Sequence, residues 1–545
     1  MSEPQKVTYI GKVDFRNKEL KFGIKERDRT RHTYVIGKTG MGKSTLLENM
    51  AVQDIKNGEG MAFIDPHGKT AELLLEYIPE HRIKDVVYFA PFDVEHPISF
   101  NVLESVDPDK RHLVVAGLMS TFKKIWQDAW SARMEYILTN TLLALLEYPD
   151  ATLLGVNRML SDKDYRKKVV DNITDVSVKS FWVDEFAKYT ERMAAESVPA
   201  IQNKIGQFTA NPLIRNMIGQ SKSSFDIRNM MDNKKIMIIN LSKGKIGESN
   251  ANLLGGMLIT KIYLGAMSRA DVPDRVLKTL PNFYLFVDEF QNFANESFAD
   301  ILSEARKYKL NLTIAHQYIE QMEEEVRSAV FGNVGTMIVF RVGAFDAEVL
   351  EKEFAPQFTM EDIVNLGYTQ IYLKLMIDGV SSQPFSARTL APIKTLEHTF
   401  REQVIAMSQQ QFSKSREEVE KNIVDWHAPT LPPKKIITQT PAAAPVAVKA
   451  PEVKPVVTPK PEVKPVVQTP APAPRPVPNP IVNKPKEITP QNKNQLKDAL
   501  AAVLKDLPKP QPRPEPKVEV KPQEHKKEET QNEVPREVLE NLLKD

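Results

Sequence analysis

The sequence predicts an α/β protein: a doubly wound, mostly parallel sheet with an inserted all-α subdomain and a long disordered, proline-rich C-terminal tail. Three observations carry this. Short apolar runs at residues 34–36, 60–65, 85–90, 235–241, 283–287, 310–315 and 336–340 read as strands of a buried sheet, and helical segments separate them. From about residue 103 to 230 the apolar residues instead recur at helical spacing, with few strand-like runs. From Pro429 onward, 25 of the chain's 39 prolines fall in a stretch with no glycine and no aromatic residue, too poor in large apolar groups to offset its ordering entropy.

Composition narrows the function classes. The chain has 545 residues, length for about three domains. Its formal net charge of +2 divides into +6 for the tail, with 20 Lys and Arg against 14 Asp and Glu, and −4 for the rest, so no global basic excess announces nucleic acid. Residues 1–45 hold 11 basic against 5 acidic side chains, including the alternating Lys25, Arg27, Arg29 and Arg31, which read as a polyanion surface or a solvated charged face. Without cysteine there is no disulfide and no thiolate metal site, which fits a reducing compartment. No apolar run reaches about 18 residues and the opening residues form no signal peptide, so the expectation is a soluble, cytoplasmic protein.

Residues 1–31 read as a short strand-rich lead-in, and residues 32–102 as the first part of the α/β domain. There Tyr34-Val35-Ile36 runs into Gly37-Lys38-Thr39-Gly40-Met41-Gly42-Lys43-Ser44-Thr45 and then into a helix. This is G-x-x-x-x-G-K-[ST] in the context it requires, strand before and helix after. The glycines let backbone N–H groups point at a triphosphate, Lys43 reaches the β- and γ-phosphates, and Ser44 offers its hydroxyl to Mg²⁺. ATP and Mg²⁺ are therefore the expected ligands. The next strand, 60–65, ends in Asp65-Pro66-His67-Gly68.

Residues 103–230 read as a helical insertion, with Met134, Ile137, Leu138, Thr141, Leu142 and Leu145 on one face of a helix. Trp126 and Trp130, four apart, read as core rather than as a base-stacking platform. The second part of the domain, 231–395, brings Phe283-Tyr284-Leu285-Phe286-Val287 up to Asp288-Glu289, the Walker B pattern. Asp288 would hold Mg²⁺ through water, and Glu289 would orient and polarise the attacking water. Other strands separate the two motifs in sequence, which suits the additional-strand class of P-loop ATPases. Residues 301–307 read as helical, 310–315 as a strand ending on His316-Gln317, and 336–340 as a strand with Arg341 at its end. Gln317 is well placed to sense the γ-phosphate. Residues 371–376 are the expected last strand and 396–427 a closing helix. Lys243 and Lys245, in the loop after one strand, are the candidate DNA contacts.

Together these motifs resemble the HerA/FtsK branch of RecA-like P-loop ATPases and, within it, the TraG/TraD-like coupling ATPases of conjugation and type IV secretion. The matching pieces are Gly37 to Thr45, Ile64-Asp65-Pro66-His67-Gly68, the helical insertion, Phe286-Val287-Asp288-Glu289-Phe290, and Ala305-Arg306-Lys307-Tyr308 leading to Ala315-His316-Gln317; they span about residues 33–390. The resemblance implies a homo-oligomeric ring, usually a hexamer, with ATP between subunits and DNA driven through the channel. It assigns Glu289 as catalytic base, Gln317 as γ-phosphate sensor and Arg306 as the arginine finger for a neighbour's ATP, with Arg341 as the competing finger. Coupling proteins of this type commonly carry N-terminal membrane helices and HerA-type helicases a larger barrel; the 31-residue lead-in matches neither, so docking at the inner face of the membrane is expected through a partner. Lys69 stands where the family often has an acidic residue, which leaves the role of His67 open.

Residues 428–545 repeat Pro-Glu-Val-Lys-Pro-Val-Val at 451–457 and 461–467, an extended spacer. Two amphipathic islands, one with Leu496, Leu500, Val503, Leu504 and Leu507 and one with Val538, Leu539, Leu542 and Leu543, read either as anchors for a secretion-channel or relaxosome protein or as solvated tail. The leading expectation is an oligomeric ATP-driven DNA translocase for conjugative transfer or secretion. The alternatives are a HerA-like DNA-processing motor and an ATP-gated adaptor with little turnover.

Overall fold

Thirteen strands and the helices between them follow from the apolar pattern along residues 6–15, 18–104 and 106–428, which the computed structural model describes. The strands are β1 (Val7–Phe15), β2 (Lys18–Lys25), β3 (Thr33–Ile36), β4 (Gly60–Asp65), β5 (Val86–Phe89), β6 (Ile236–Asn240), β7 (Phe283–Val287), β8 (Leu310–His316), β9 (Thr336–Val339), β10 (Gln370–Lys374), β11 (Met376–Ile377), β12 (Val380–Ser381) and β13 (Phe385–Thr389). Eleven form one sheet in the order β2-β1-β13-β10-β9-β3-β8-β7-β4-β6-β5, while β11 and β12 make a small hairpin of their own. The seven strands from β9 to β5 are parallel; β10, β13, β1 and β2 extend them antiparallel.

Alternation along each central strand feeds two hydrophobic layers. Tyr34 and Ile36 of β3, Ala62 and Ile64 of β4, and Phe283, Leu285 and Val287 of β7 face one layer. Val35, Met61, Phe63, Tyr284 and Phe286 face the other. A strand covered on both faces needs apolar residues at every position, hence the unbroken runs in the sequence. Because β8 sits between β3 and β7, its C-terminal end lies between the P-loop and Asp288-Glu289. This is the RecA-like arrangement expected of the additional-strand class.

Residues 103–230 are mostly helical, and their apolar residues join the first layer rather than closing a separate core. The helix Arg111–Ile125 packs on Glu248–Met267. Trp126 lies between Phe122 and Phe208, ring centroids 5.6 and 5.3 Å away. The lead-in is a hairpin on the sheet, with β1 paired to β13.

The structure corrects two expectations. The last strand is β13, not residues 371–376; only Phe385, Ala387 and Thr389 of β13 are buried, so a half-buried antiparallel strand after Pro384 leaves too few apolar residues to stand out. The closing helix is two helices, Arg401–Phe412 and Arg416–His427, the second capped by Ser415, whose Oγ accepts from Glu418 N at 3.3 Å. Of the two readings of Lys25, Arg27, Arg29 and Arg31, a polyanion surface loses Arg29, because the chain turns helical at Glu26–Arg29 and splits the alternation. Arg29 is buried and grips Asp54 with two hydrogen bonds of 2.6 and 2.9 Å, its guanidinium 3.8 Å from the Tyr284 ring, while Lys25 and Arg27 pair with Asp378.

Among the described residues, no helix is long and apolar enough to cross a membrane. The tail from residue 429, with its repeat and both islands, lies outside the described residues.

Candidate active site

The site forms at the C-terminal edge of the parallel strands, the edge where open α/β sheets bind ligands. β3 delivers Gly37, packed so tightly that a Cβ there would stand 2.5 Å from Phe340 Cβ. The loop then needs left-handed backbone at Gly40 (φ +80°) and Gly42 (φ +115°), and nothing lies within 4 Å of where a Cβ on Gly40 would be. The result is an open cradle feeding the N-terminus of helix Lys43–Lys56. Lys43 is buried, its ammonium donating to the carbonyls of Gly37 (2.6 Å) and Lys38 (3.3 Å). Burial lowers its pKa, and the charges of Glu289 and Asp288 oppose that.

β7 delivers the two carboxylates. Ser44 Oγ donates to Asp288 Oδ2 at 3.2 Å, so the two groups expected to hold Mg²⁺ converge. Burial, then the negative charges of Glu289 and Asp65, push Asp288 up to about 6. A carboxylate crowded by like charge beside a hydroxyl and an open phosphate cradle fits a divalent cation, which would relieve that repulsion. Glu289 stands in the left-handed region at φ +47°, a strained setting for a non-glycine residue and a common one at functional sites. Gln317 Nε2 donates to Glu289 Oε1 and Gln291 Nε2 to Oε2 (2.5 Å). Gln317 also accepts from Thr39 Oγ1 at 2.9 Å, so one side chain joins the P-loop to Glu289.

The Asp-Pro-His-Gly loop stands beside them. Asp65 accepts from His67 N (2.8 Å) and Ala71 N (2.9 Å), which shapes the turn and places His67 Nε2 3.9 Å from Glu289 Oε1. Gly68 needs φ +88° and presses on Asn240 and Ser242. In the short helix Lys243–Ile246 after β6, where the sequence suggests a loop, Lys245 pairs with Glu72 at 3.5 Å and lies over the Phe92 ring, so it is engaged within its own chain. His316, fully buried, hydrogen-bonds Tyr34 through Nδ1 (3.1 Å) and is pushed down to about 3 by burial and by the charges of Lys43 and Lys124.

Of the sequence-derived candidates, Thr39, Lys43, Ser44, Asp288, Glu289 and Gln317 meet. The two arginines do not. Arg341 is half-buried beside the P-loop, its carbonyl accepting from Lys38 N at 2.8 Å. Arg306 is exposed in the turn Ala305–Tyr308, which ends helix Glu296–Glu304 ahead of β8, at the opposite edge of the sheet. Gln291 is not among the sequence-derived candidates; its local signal is an amide two residues beyond Glu289, legible once the tight turn is known.

Comparison with known proteins agrees with this arrangement. The family model "Type IV secretory system Conjugative DNA transfer" matches residues 2–335. No curated protein matches. Among solved structures, the unbound bacterial conjugative coupling protein TrwB lacking its N-terminal segment is 14% identical, with a TM-score of 0.52 over 71% of this chain and 91% of that one. Its complex with ADP and Mg²⁺ is 15% identical, TM-score 0.52, over 74% and 98%. The complex with an ATP analogue is 16% identical, TM-score 0.51, over 68% and 88%. At such identities the likeness shows a shared fold.

Proposed function

The chain belongs to the Type IV secretory system conjugative DNA transfer family, and from that premise we propose that it is an ATP-driven DNA translocase that works as a homo-oligomeric ring, usually a hexamer in this class, and feeds DNA toward a secretion channel. The observation that carries this reading is the single cluster of Lys43, Ser44, Asp288, Glu289 and Gln317 on one edge of the sheet, with Arg306 on the other.

The residues divide the work by their chemistry. Backbone N–H groups of residues 37–45 and the Lys43 ammonium bind the triphosphate. Ser44 and Asp288 would hold Mg²⁺, which supplies charge neutralisation between the phosphates when bound. Glu289 orients the attacking water and takes up its proton as the bond to the γ-phosphorus forms and the bond to the β-bridging oxygen breaks. Gln317 is tied to Thr39 and Glu289, so a γ-phosphate competes for its amide and frees Glu289 Oε1.

β8, Leu310–His316, is about 20 Å long at the strand rise, and it separates Arg306, in the turn before it, from Gln317, the residue after it. That separation is too long for an arginine to serve its own chain's nucleotide. It suits a finger offered to a neighbouring subunit, which makes hydrolysis depend on assembly. Arg341, half-buried beside its own chain's P-loop, is the competing finger.

The test is the steady-state ATPase rate across a protein concentration series, without DNA and with single- or double-stranded DNA, with Glu289→Gln as the base-deficient reference. Activity that rises steeply with protein concentration and further with DNA is expected. A flat, negligible rate despite tight ATP binding would replace this reading with the ATP-gated adaptor.

A further inference from the structure

The turn that carries Glu289 is held from outside the sheet. Asn292 N donates to Glu289 O (3.0 Å), and Phe293 N and Ala294 N donate to Phe290 O (2.9 and 3.0 Å). Phe290 packs on Phe298 with ring centroids 4.4 Å apart. Phe293 lies so close on Gly255 that a Cβ there would stand 2.2 Å from its ring. Lys124 Nζ donates to the Ala294 carbonyl, and Lys123 Nζ pairs with Glu296 Oε1 at 2.9 Å.

Lys123 and Lys124 form the last turn of helix Arg111–Ile125, in the helical stretch, whereas Gly255 belongs to helix Glu248–Met267. These helices cross at two reciprocal close contacts. A Cβ on Gly117 would stand 2.5 Å from the Thr260 methyl, and one on Gly256 would stand 2.7 Å from the Thr121 methyl. Each threonine hydroxyl donates within its own helix, Thr121 to Gly117 O (2.8 Å) and Thr260 to Gly256 O (2.9 Å). The contact is therefore backbone-close with its polar groups satisfied, and a packed block of this kind passes displacement on rather than absorbing it. Phe293 and Lys124 are where that block touches the catalytic turn.

The two lysines differ in kind. Lys123 is exposed and its ion pair is of the weakly contributing surface type. Lys124 is half-buried, and burial lowers its pKa, so a cation is kept where an apolar residue would pack at less desolvation cost. Its hydrogen bond to Ala294 gives it a task.

We propose that Lys124 is a positioning residue for Glu289: it anchors the turn 290–294 and so aims the carboxylate, which places the rate of hydrolysis under the control of the helical stretch. This rests on Glu289 as the catalytic base.

The experiment compares Lys124→Met, which keeps length and apolar bulk, with Lys124→Arg, which restores a charged donor, each alone and in the Glu289→Gln background. It uses the full chain and reads kcat, KM, equilibrium nucleotide affinity, Tm and single-turnover phosphate release. Lys124→Met is expected to lower kcat about ten- to a hundredfold, the scale of a misaligned catalytic group. KM, nucleotide affinity and Tm stay near the parent values, and Lys124→Arg recovers most of the rate. In the Glu289→Gln background Lys124→Met adds no further loss, because the group it acts through is gone. An unchanged kcat, an equal loss in both backgrounds, or KM and Tm moving together would overturn the proposal. If the methionine variant does not fold, Lys124→Ala, which also removes the donor, carries the same comparison. Full activity in Glu289→Gln itself would instead overturn the assignment of the base, a separate result.

Discussion

Gln317 holds Glu289: the amide Nε2 donates to the carboxylate Oε1, while the amide oxygen accepts from Thr39 of the P-loop at 2.9 Å. One side chain therefore touches both the P-loop and the proposed base. Glu289 is restrained at both oxygens, since Gln291 occupies Oε2. Gln291 is two residues from the base and moves with it; Gln317 comes from another strand and is free to change partner.

Removing the base separates binding from turnover. Glu289→Gln should lower kcat by about 10²–10⁴-fold, the range of general-base contributions, with nucleotide affinity preserved. Gln317→Ala should lower kcat too, and equilibrium titration of both variants with a non-hydrolysable ATP analogue checks that affinity holds. A parallel loss of affinity would mean that these residues shape the pocket rather than the reaction.

Trans action of Arg306 has a complementation signature. Arg306→Ala should reduce turnover by about 10³-fold or more, and Glu289→Gln by about 10²–10⁴-fold. Mixed, the two should regain part of the activity, because an Arg306→Ala subunit keeps its own Glu289 and can receive the neighbour's arginine. Arg341→Ala mixed with Glu289→Gln should show no such recovery; the opposite pattern would transfer the role to Arg341.

Asp288, pushed up to about 6, should make cation-dependent activity fall as pH drops through that value. Protons and Mg²⁺ then compete for one carboxylate, so raising Mg²⁺ should move the acid limb to lower pH. The stability contribution has its own sign. A folded pKa above the unfolded value near 3.8 means that stability from this group is present below about 3.8 and lost as pH rises through about 6.

His32 behaves oppositely. It is buried, its Nε2 bonded to Leu302 O (3.2 Å) and its Nδ1 accepting from Leu312 N (3.1 Å), and burial holds it down at about 4. A depressed folded pKa means stability fully present above the unfolded value near 6.5 and lost as pH falls toward about 4. Between pH 6.5 and 4 the Tm of His32→Gln should therefore fall less steeply than that of the parent. Identical slopes would remove His32 from the account.

Arg29 and Asp54 tie the lead-in to the P-loop helix. Both are at most 3% exposed as side chains, so removing one leaves the other buried without a counter-charge. Asp54→Ala should cost about 3–5 kcal/mol, read by urea unfolding, whereas Lys12→Ala, which breaks an exposed pair with Glu19, should cost about 1 kcal/mol or less.

The P-loop, the Asp288-Glu289 pair and the parallel core were legible in the sequence because each rests on local chemistry: glycines where φ must be positive, a lysine and serine at fixed spacing, apolar runs where both faces are covered. Strand β13 and the break before Ser415 were less legible, since half-burial and a side-chain cap leave fainter marks. The tertiary structure alone decided that β8 lies between β3 and β7, that Arg306 and Gln317 stand at opposite ends of that strand, that Arg29 is buried against Asp54, and that Lys124 reaches the turn after Glu289. Each depends on which distant segments pair, and no residue's local preferences encode the partner it meets across the sheet.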